Sequence, residues 1–405
     1  MAPPQADPAS HPARHPPVGQ AGRVSTRARH PVRGLLVTLG VIVVLFHATG
    51  GWYFSGRIES DALAVKAVPL TRDLTVTRVH GDRIALADPG PQNFVLRSRS
   101  VYGVVWPGGY GRVSGPPSVN GDDVSRSWRL LEGTAPSPGT KVSLDGFAYP
   151  LKPPAGAKLV HYPSPRGDMP ATYFPASGST WAVLVHGKGA TRAEMYRLAG
   201  ITHRLGMPTL SIGYRNDADA PRDPSHRHTF GVTEWHDLEG AVRYAKLQGA
   251  SDIVLGGASM GGSIVASYLR NSADAEQVQS VVLDAPMLNL RDTIAYGARD
   301  VRVPPGLPLP STVTWSAEEL ASLRYDVDWG ATDYTSDPDW VRGPVLIMHG
   351  TRDDTVPVAT SEELSHKSGD VTLDEVRGAH HVESWNVDPG AYDQTVTDFL
   401  QRTTG

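Results

Sequence analysis

An α/β fold with a mostly parallel central sheet is predicted for residues 158–405, and two observations predict it. Short, continuous apolar runs recur from residue 180 onward, and amphipathic helical stretches alternate with them; strands covered on both faces by crossover helices give this pattern. The runs are Trp181–His186, Thr209–Tyr214, Ile253–Gly257, Val278–Leu283 and Val345–His349, with a further β-run at Val371–Val376. Between them, a helix over 233–248 places Trp235, Leu238, Ala241, Val242 and Ala245 on one face. Near the C-terminus Asp388 is placed to cap a helix that begins at Pro389, and Tyr392, Val396, Phe399 and Leu400 follow at helical spacing. A βαβ series of this kind carries its site at the carboxyl ends of the strands.

Residues 57–157 read differently. Leu74–Val79 and Arg83–Leu86 are short β-prone runs, and Gly, Asp and Pro punctuate the segment at the spacing of an antiparallel meander. A small β-rich module is expected here, acting as a spacer or packing element, because it gathers no group of His, Asp, Glu or Ser suited to chemistry. Trp106-Pro107-Gly108-Gly109-Tyr110 reads equally as a turn with aromatic packing or as the lining of a substrate path.

Residues 34–56 contain no charged side chain and peak at Val41–Phe46. At about 1.5 Å per residue these 23 residues reach roughly 34 Å, enough to cross a hydrocarbon core of about 30 Å. The preceding residues 1–33 hold seven Pro and five Arg against one acid, Asp7, so they are expected to be a disordered tail. Under the positive-inside rule that tail stays cytoplasmic, with Trp52, Tyr53 and Phe54 at the far interface and everything after residue 56 outside the cytoplasm. A cleaved signal peptide competes with this single-pass anchor, although no small-x-small site follows the apolar run closely and Ala62-Leu63-Ala64 is distant. A buried core helix is the third reading.

Composition narrows the function. Gly (42) and Pro (34) make up about 19% of the 405 residues, too much punctuation for a coiled coil or simple bundle. The net charge of −4 with 40% hydrophobic residues excludes a disordered polyelectrolyte and gives no footprint for nucleic acid. That total hides a +4 tail followed by 33 basic and 41 acidic residues. The absence of Cys excludes a disulfide framework, a thiolate metal site and a Cys nucleophile.

The chemistry concentrates at Ile253–Gly262, a β-run entering Gly257-Ala258-Ser259-Met260-Gly261 and continuing into a helix at Ser263–Arg270. A Ser on so tight a strand-to-helix turn has a strained backbone, and a Cβ at Gly257 or Gly261 would clash with neighbouring elements. The turn exposes the Ser259 hydroxyl and leaves the Met260 N–H, at the positive end of the helix, directed at an oxyanion.

Together with this elbow, Val185-His186-Gly187-Lys188-Gly189, His349-Gly350-Thr351-Arg352-Asp353-Asp354-Thr355-Val356-Pro357 and Gly378-Ala379-His380-His381 resemble the four motifs of the α/β-hydrolase family, in the family's order. The likeness is greatest to the branch that includes membrane-anchored serine hydrolases and acylglycerol lipases, and Gly213–Asp217, Thr233–Leu238 and Leu283–Pro286 extend it. The His-Gly-x-Gly loop departs from lipases that carry a longer Gly run. The resemblance implies Ser259 as nucleophile, His381 as base and Asp353 as the acid that orients it, with the N–H groups of Lys188 and Met260 as the oxyanion hole. On this view the Lys188 side chain matters less than its backbone.

Each role has a rival. Asp354 adjoins Asp353 and reads as a solvated loop carboxylate; Asp284, after the strand 278–283, would supply the acid in variants that shift it to an earlier strand; His380 precedes His381. His186 and His349 read as structural hydrogen-bonding groups; His226, His228 and His236 raise a metal site, yet the first two sit in a Pro/Asp-rich loop without a convincing carboxylate partner, so none is expected. The stretch 288–341 is placed where the family inserts a lid, with a short helical run at Ser316–Leu323, and Trp315, Tyr325 and Trp329 would line a pocket or simply pack together. The expectation is therefore an outward-facing serine esterase at the cell membrane, acting on a small-molecule ester or lipid-like substrate without cofactor or metal. A serine peptidase on the same fold and a non-catalytic tethered binding module are the alternatives.

Overall fold

The computed structural model describes residues 31–66, 71–87, 95–150 and 152–405. The expected disordered tail lies outside the described residues as far as residue 30, and residues 31–33 already belong to a helix. That helix, α1 (Pro31–Ile58), contains the predicted apolar segment, and Arg33–Leu63 is long and apolar enough to cross a membrane. Residues up to Phe46 form one compact unit; His47–Gly405 form another.

Within the second unit, a turn of π-helix (Glu59–Leu63) ends α1 and leads to β1 (Leu74–His80), β2 (Arg83–Ala87), β3 (Tyr102–Trp106), β4 (Gly109–Asn120), β5 (Asp123–Gly133) and β6 (Lys141–Asp145). These are the β-rich module expected, with antiparallel pairing throughout. They close into a barrel in the order β1-β2-β5-β4-β3-β6, because β6 pairs with both β1 and β3 and so removes the edges an open sheet would expose. Alternate residues, among them Val76, Ile84, Leu86, Val104, Val113, Val124 and Val142, fill its interior. Trp106 packs on Trp128 with ring centroids 6.2 Å apart, so the aromatic turn 106–110 is packing and lines no path.

The rest builds one sheet. In chain order come β7 (Lys158–Ser164), β8 (Gly167–Phe174), β9 (Thr180–Val185), α2 (Tyr196–Arg204), β10 (Thr209–Ile212), α3 (Trp235–Leu247), β11 (Asp252–Ala258), α4 (Met260–Asn271), β12 (Val278–Asp284) and α5 (Leu290–Ala298). A small hairpin, β13 (Arg302–Val303) and β14 (Leu307–Pro308), precedes α6 (Ser311–Tyr325), β15 (Val345–Gly350), α7 (Ala359–Lys367), β16 (Val371–Val376), α8 (Ser384–Val387) and α9 (Pro389–Thr404). The eight strands run β16-β15-β12-β11-β9-β10-β8-β7, parallel from β16 to β10 and antiparallel at β8 and β7. All six predicted strands are present, and β7 and β8 are additions. One face is covered by α3 and α4, whose Leu238, Ala241, Ile264 and Tyr268 are buried, and the other by α2 and α9 through Leu198, Ile201, Val396 and Phe399. The Asp388 carboxylate accepts the Ala391 N–H at 3.0 Å, as its capping position requires.

The barrel is more than a spacer, because it grips the loop that follows β16. The Asn386 side-chain amide donates to the carbonyls of Val101 and Gly146 at 2.6 and 2.7 Å, and the Val101 N–H returns a bond to the Asn386 carbonyl at 2.7 Å. Tyr102 donates to Glu383 at 2.5 Å, and the Arg112 guanidinium lies over the rings of Tyr149 and Trp385. Burial raises the Tyr102 hydroxyl pKa first, and the Glu383 charge adds to it, so the phenol stays a donor.

Candidate active site

Leu255, Gly256 and Gly257 of β11 lie in register with β9 on one side and β12 on the other, so the residue that follows β11 emerges at the centre of the sheet's carboxyl edge. That residue is Ser259, held at φ 50° and ψ −118°, where a side chain is strained. The turn is tight because glycines permit it. A Cβ on Gly257 would sit 2.7 Å from the Gly261 carbonyl carbon, and one on Gly261 would sit 2.1 Å from the Val185 carbonyl oxygen. The Ser259 N–H bonds to the Asp284 carbonyl at 3.0 Å and its carbonyl accepts from Met287 at 3.0 Å, so the elbow is pinned from β12.

The loops after β15 and β16 bring the partners. His381 Nε2 lies 2.8 Å from Ser259 Oγ, and His381 Nδ1 lies 2.8 Å from Asp353 Oδ2. Asp353 Oδ1 accepts the N–H groups of Thr355 and Val356 at 2.9 and 2.8 Å, and His349 Nε2 approaches Oδ2 at 3.2 Å. Burial alone would raise the Asp353 carboxyl, but the hydrogen bonds from His349 and His381 outweigh it and hold the group well below the ordinary carboxylate range. Its ionised form therefore stabilises the fold above the unfolded carboxylate pKa, and that contribution is lost as pH falls toward the folded value. For His381, burial works to lower the pKa, yet the hydrogen bond and charge of Asp353 raise it above the ordinary 6.5.

The rivals fall elsewhere. Asp354 is exposed, with its carboxylate 3.8 Å from His380 Nδ1. Asp284 is buried 3.4 Å from Arg197 and does not meet the His381 ring nitrogen that Asp353 holds. His186 bonds the Gly187 carbonyl and Asp217, both at 2.9 Å, and His349 bonds Ser361 at 2.8 Å, so both are structural as expected, although His349 also touches the acid. Among the described residues no group of three His, Cys, Asp or Glu is placed to hold a metal ion.

The loop after β9, where an oxyanion hole was expected, is set by residues that sequence reasoning missed. Met260 is the first residue of α4, so its N–H has no acceptor within the helix. A Cβ on Gly187 would lie 3.1 Å from Ser259 Cβ, which puts the loop after β9 against Ser259. Buried Glu194 accepts the Gly187 N–H at 2.7 Å and so fixes the bend that presents Lys188. The only sequence signal was Thr191-x-x-Glu194, the form of a capping box whose Glu here reaches past its own turn. The Lys188 ammonium donates to the carbonyls of Asp61 and of Ala62 in the π-helical turn that follows α1. Leu63 is buried there, its carbonyl accepting the His228 N–H at 2.7 Å. Burial, together with the nearby Lys188 charge, lowers the His228 pKa to about 4, so that ring stays neutral.

Beneath the His381 loop, the buried guanidinium of Arg197 bonds the Val382 carbonyl at 3.0 Å and Asn386 Oδ1 at 3.1 Å while facing Asp284. Above it, Tyr296 of α5 donates to the Asp353 carbonyl at 3.0 Å. The stretch 288–341, where a lid was expected, forms α5, the β13–β14 hairpin and α6, which is longer than the short run foreseen. Its aromatics do not form a pocket lining: Trp315 is 59% exposed, Trp329 donates to the Glu318 carbonyl at 3.2 Å, and Tyr325 carries the guanidinium groups of Arg227 and Arg324.

The strand order, the strained serine after the central strand and the acid and histidine on successive later loops together make this an α/β-hydrolase fold. No protein-family profile matches the chain, and no curated protein matches it. Solved structures do. The esterase Pf2001 of Pyrococcus furiosus is 20% identical over 62% of this chain and 93% of its own, with a TM-score of 0.48. An esterase from Thermogutta terrifontis is 18% identical over 62% and 100%, with a TM-score of 0.44. A membrane phospholipase A described as a bacterial virulence factor is 17% identical over 62% and 88%, with a TM-score of 0.42.

Proposed function

We propose that the protein is a serine hydrolase that cleaves a carboxylic ester through an acyl-enzyme, anchored by α1 with its catalytic region outside the cytoplasm. The observation that carries this reading is the unbroken hydrogen-bonded line from Asp353 through His381 to the strained Ser259. His381 takes the Ser259 proton as Oγ adds to the ester carbonyl, and the N–H groups of Met260 and Lys188 receive the oxyanion. One such donor lowers the barrier by about 3–4 kcal/mol. The intermediate collapses, the alcohol leaves with the proton from His381, and water, deprotonated by the same imidazole, releases the acid.

A fluorophosphonate probe is expected to label Ser259, and Ser259→Ala to lower kcat on a short p-nitrophenyl ester by about 10⁵-fold or more. Labelling of another residue, or retained turnover, would sink the proposal. Only neutral imidazole accepts the proton, so kcat/KM should fall with acid through the raised pKa of His381. The midpoint of that limb is expected above pH 6.5 in a pH–rate profile, and a midpoint below 6.5 would contradict the assignment.

A further inference from the structure

The half of α1 from His47 onward does not stand free: the cap helix α6 lies along it. Gly50 and Gly51 make the contact close, since a Cβ on either would come within 3.0 Å of Val313 or Leu320. His47 Nε2 meets Thr312 Oγ1 at 3.0 Å at one end of the contact. At the other, Arg324 donates to the Trp52 carbonyl and Ser55 Oγ at 2.9 and 2.6 Å, with its guanidinium 3.7 Å over the Trp52 ring. Glycine-mediated approach of this kind is how helices associate in membranes, but here the partner is the cap of the hydrolase.

Large apolar side chains on α6, the hairpin and α1 are exposed among the described residues. Trp315 and Leu323 on α6 are 59% and 83% exposed, Leu307 at the hairpin is 59% exposed, and Trp52 and Tyr53 on α1 are 60% and 62% exposed. The charge among them, Glu319, is tied to Arg291 at 3.3 Å. Trp and Tyr beside an arginine at the end of an apolar helix are the side chains that settle at the headgroup level of a bilayer. Arg291 links α6 through Glu318 and Glu319 to α5, and α5 reaches the Asp353 loop through Tyr296, so the exposed face is tied through α5 to the site.

We propose that the cap is a membrane-contacting surface, with Trp315, Leu323 and Leu307 seated in the outer lipid interface beside α1, and that the ester cleaved is a long-chain acyl ester drawn from that lipid layer. The proposal rests on the hydrolase reading and on α1 as the anchor.

The absence of native Cys allows a direct test in the full-length protein reconstituted in phosphatidylcholine vesicles. Single cysteines replace Trp315, Leu323, Val41 in the anchor, or Leu247, an 81% exposed residue of α3, and each carries a nitroxide whose accessibility to oxygen and to a nickel chelate is measured. Labels at 41, 315 and 323 should be oxygen-accessible and shielded from nickel, with 247 open to nickel. Labels at 315 and 323 that behave like 247 while 41 is shielded overturn the proposal and spare the anchor; a nickel-accessible 41 overturns both. In the activity arm, Trp315→Ser combined with Leu323→Ser should lower hydrolysis of a long-chain ester embedded in the vesicles by about tenfold or more. A soluble short ester should be unaffected. Equal loss on both substrates, or no loss on the embedded one, counts against the proposal. Failure of the hydrolase reading shows separately, as turnover that survives Ser259→Ala.

Discussion

Asp353→Asn is expected to lower kcat on an activated ester by about 10⁴-fold while the protein stays folded. Both oxygens of this carboxylate receive donors: Oδ1 takes the N–H groups of Thr355 and Val356, and Oδ2 takes His381, with His349 close by. A carboxamide has one accepting atom, so either orientation sets its NH₂ against donors. With the oxygen kept toward Thr355 and Val356, the NH₂ faces His381 Nδ1 and drives the imidazole proton to Nε2. The ring then points a donor at Ser259 and cannot take its proton. Steady-state kinetics read the effect; a loss smaller than about tenfold would mean that Asp353 does not orient the base.

The second large effect falls on stability. Arg197→Met should destabilise the protein by about 3–5 kcal/mol, because it removes the guanidinium beside buried Asp284 and leaves two acceptors in the His381 loop, the Val382 carbonyl and Asn386 Oδ1, without that donor. Burial raises the Asp284 pKa and the Arg197 charge works against that rise, so part of the loss will appear as protonation of the carboxyl. Urea denaturation measures the loss. Adding Asp284→Leu should recover much of it, since the stranded carboxylate is then gone, and a double variant no more stable than Arg197→Met would refute the explanation.

How far the sequence discloses this arrangement depends on how local each part is. Ser259 is legible because its strand, its glycines and its helix lie within about 20 residues, and each glycine is demanded by a clash with neighbouring backbone. Asp388 and Pro389 announce α9 for the same reason. The strands β7 and β8 are hidden because Pro163 and Pro170 interrupt them, which a sequence pattern reads as a break; Pro163 lies in the edge strand β7, where a missing N–H is tolerated, whereas β8 is paired on both sides. Closure of the barrel depends on β6 meeting β1 and β3, partners no local period encodes. Glu194, Arg197 and Asn386 are charged or polar and buried, so a hydropathy reading places them at the surface. Only their partners, from distant parts of the chain, explain why they are inside.

Those distant partners also set a chronology. Tyr102 meets Glu383, and Val101 meets Asn386, each across more than 280 residues, and the loop these bonds help to hold carries His381. During synthesis the barrel, the elbow and the oxyanion loop all emerge before their histidine does. On the proposed mechanism the nascent protein therefore carries the Ser259 turn before its base, and the two meet only when the loop after β16 folds back against the barrel.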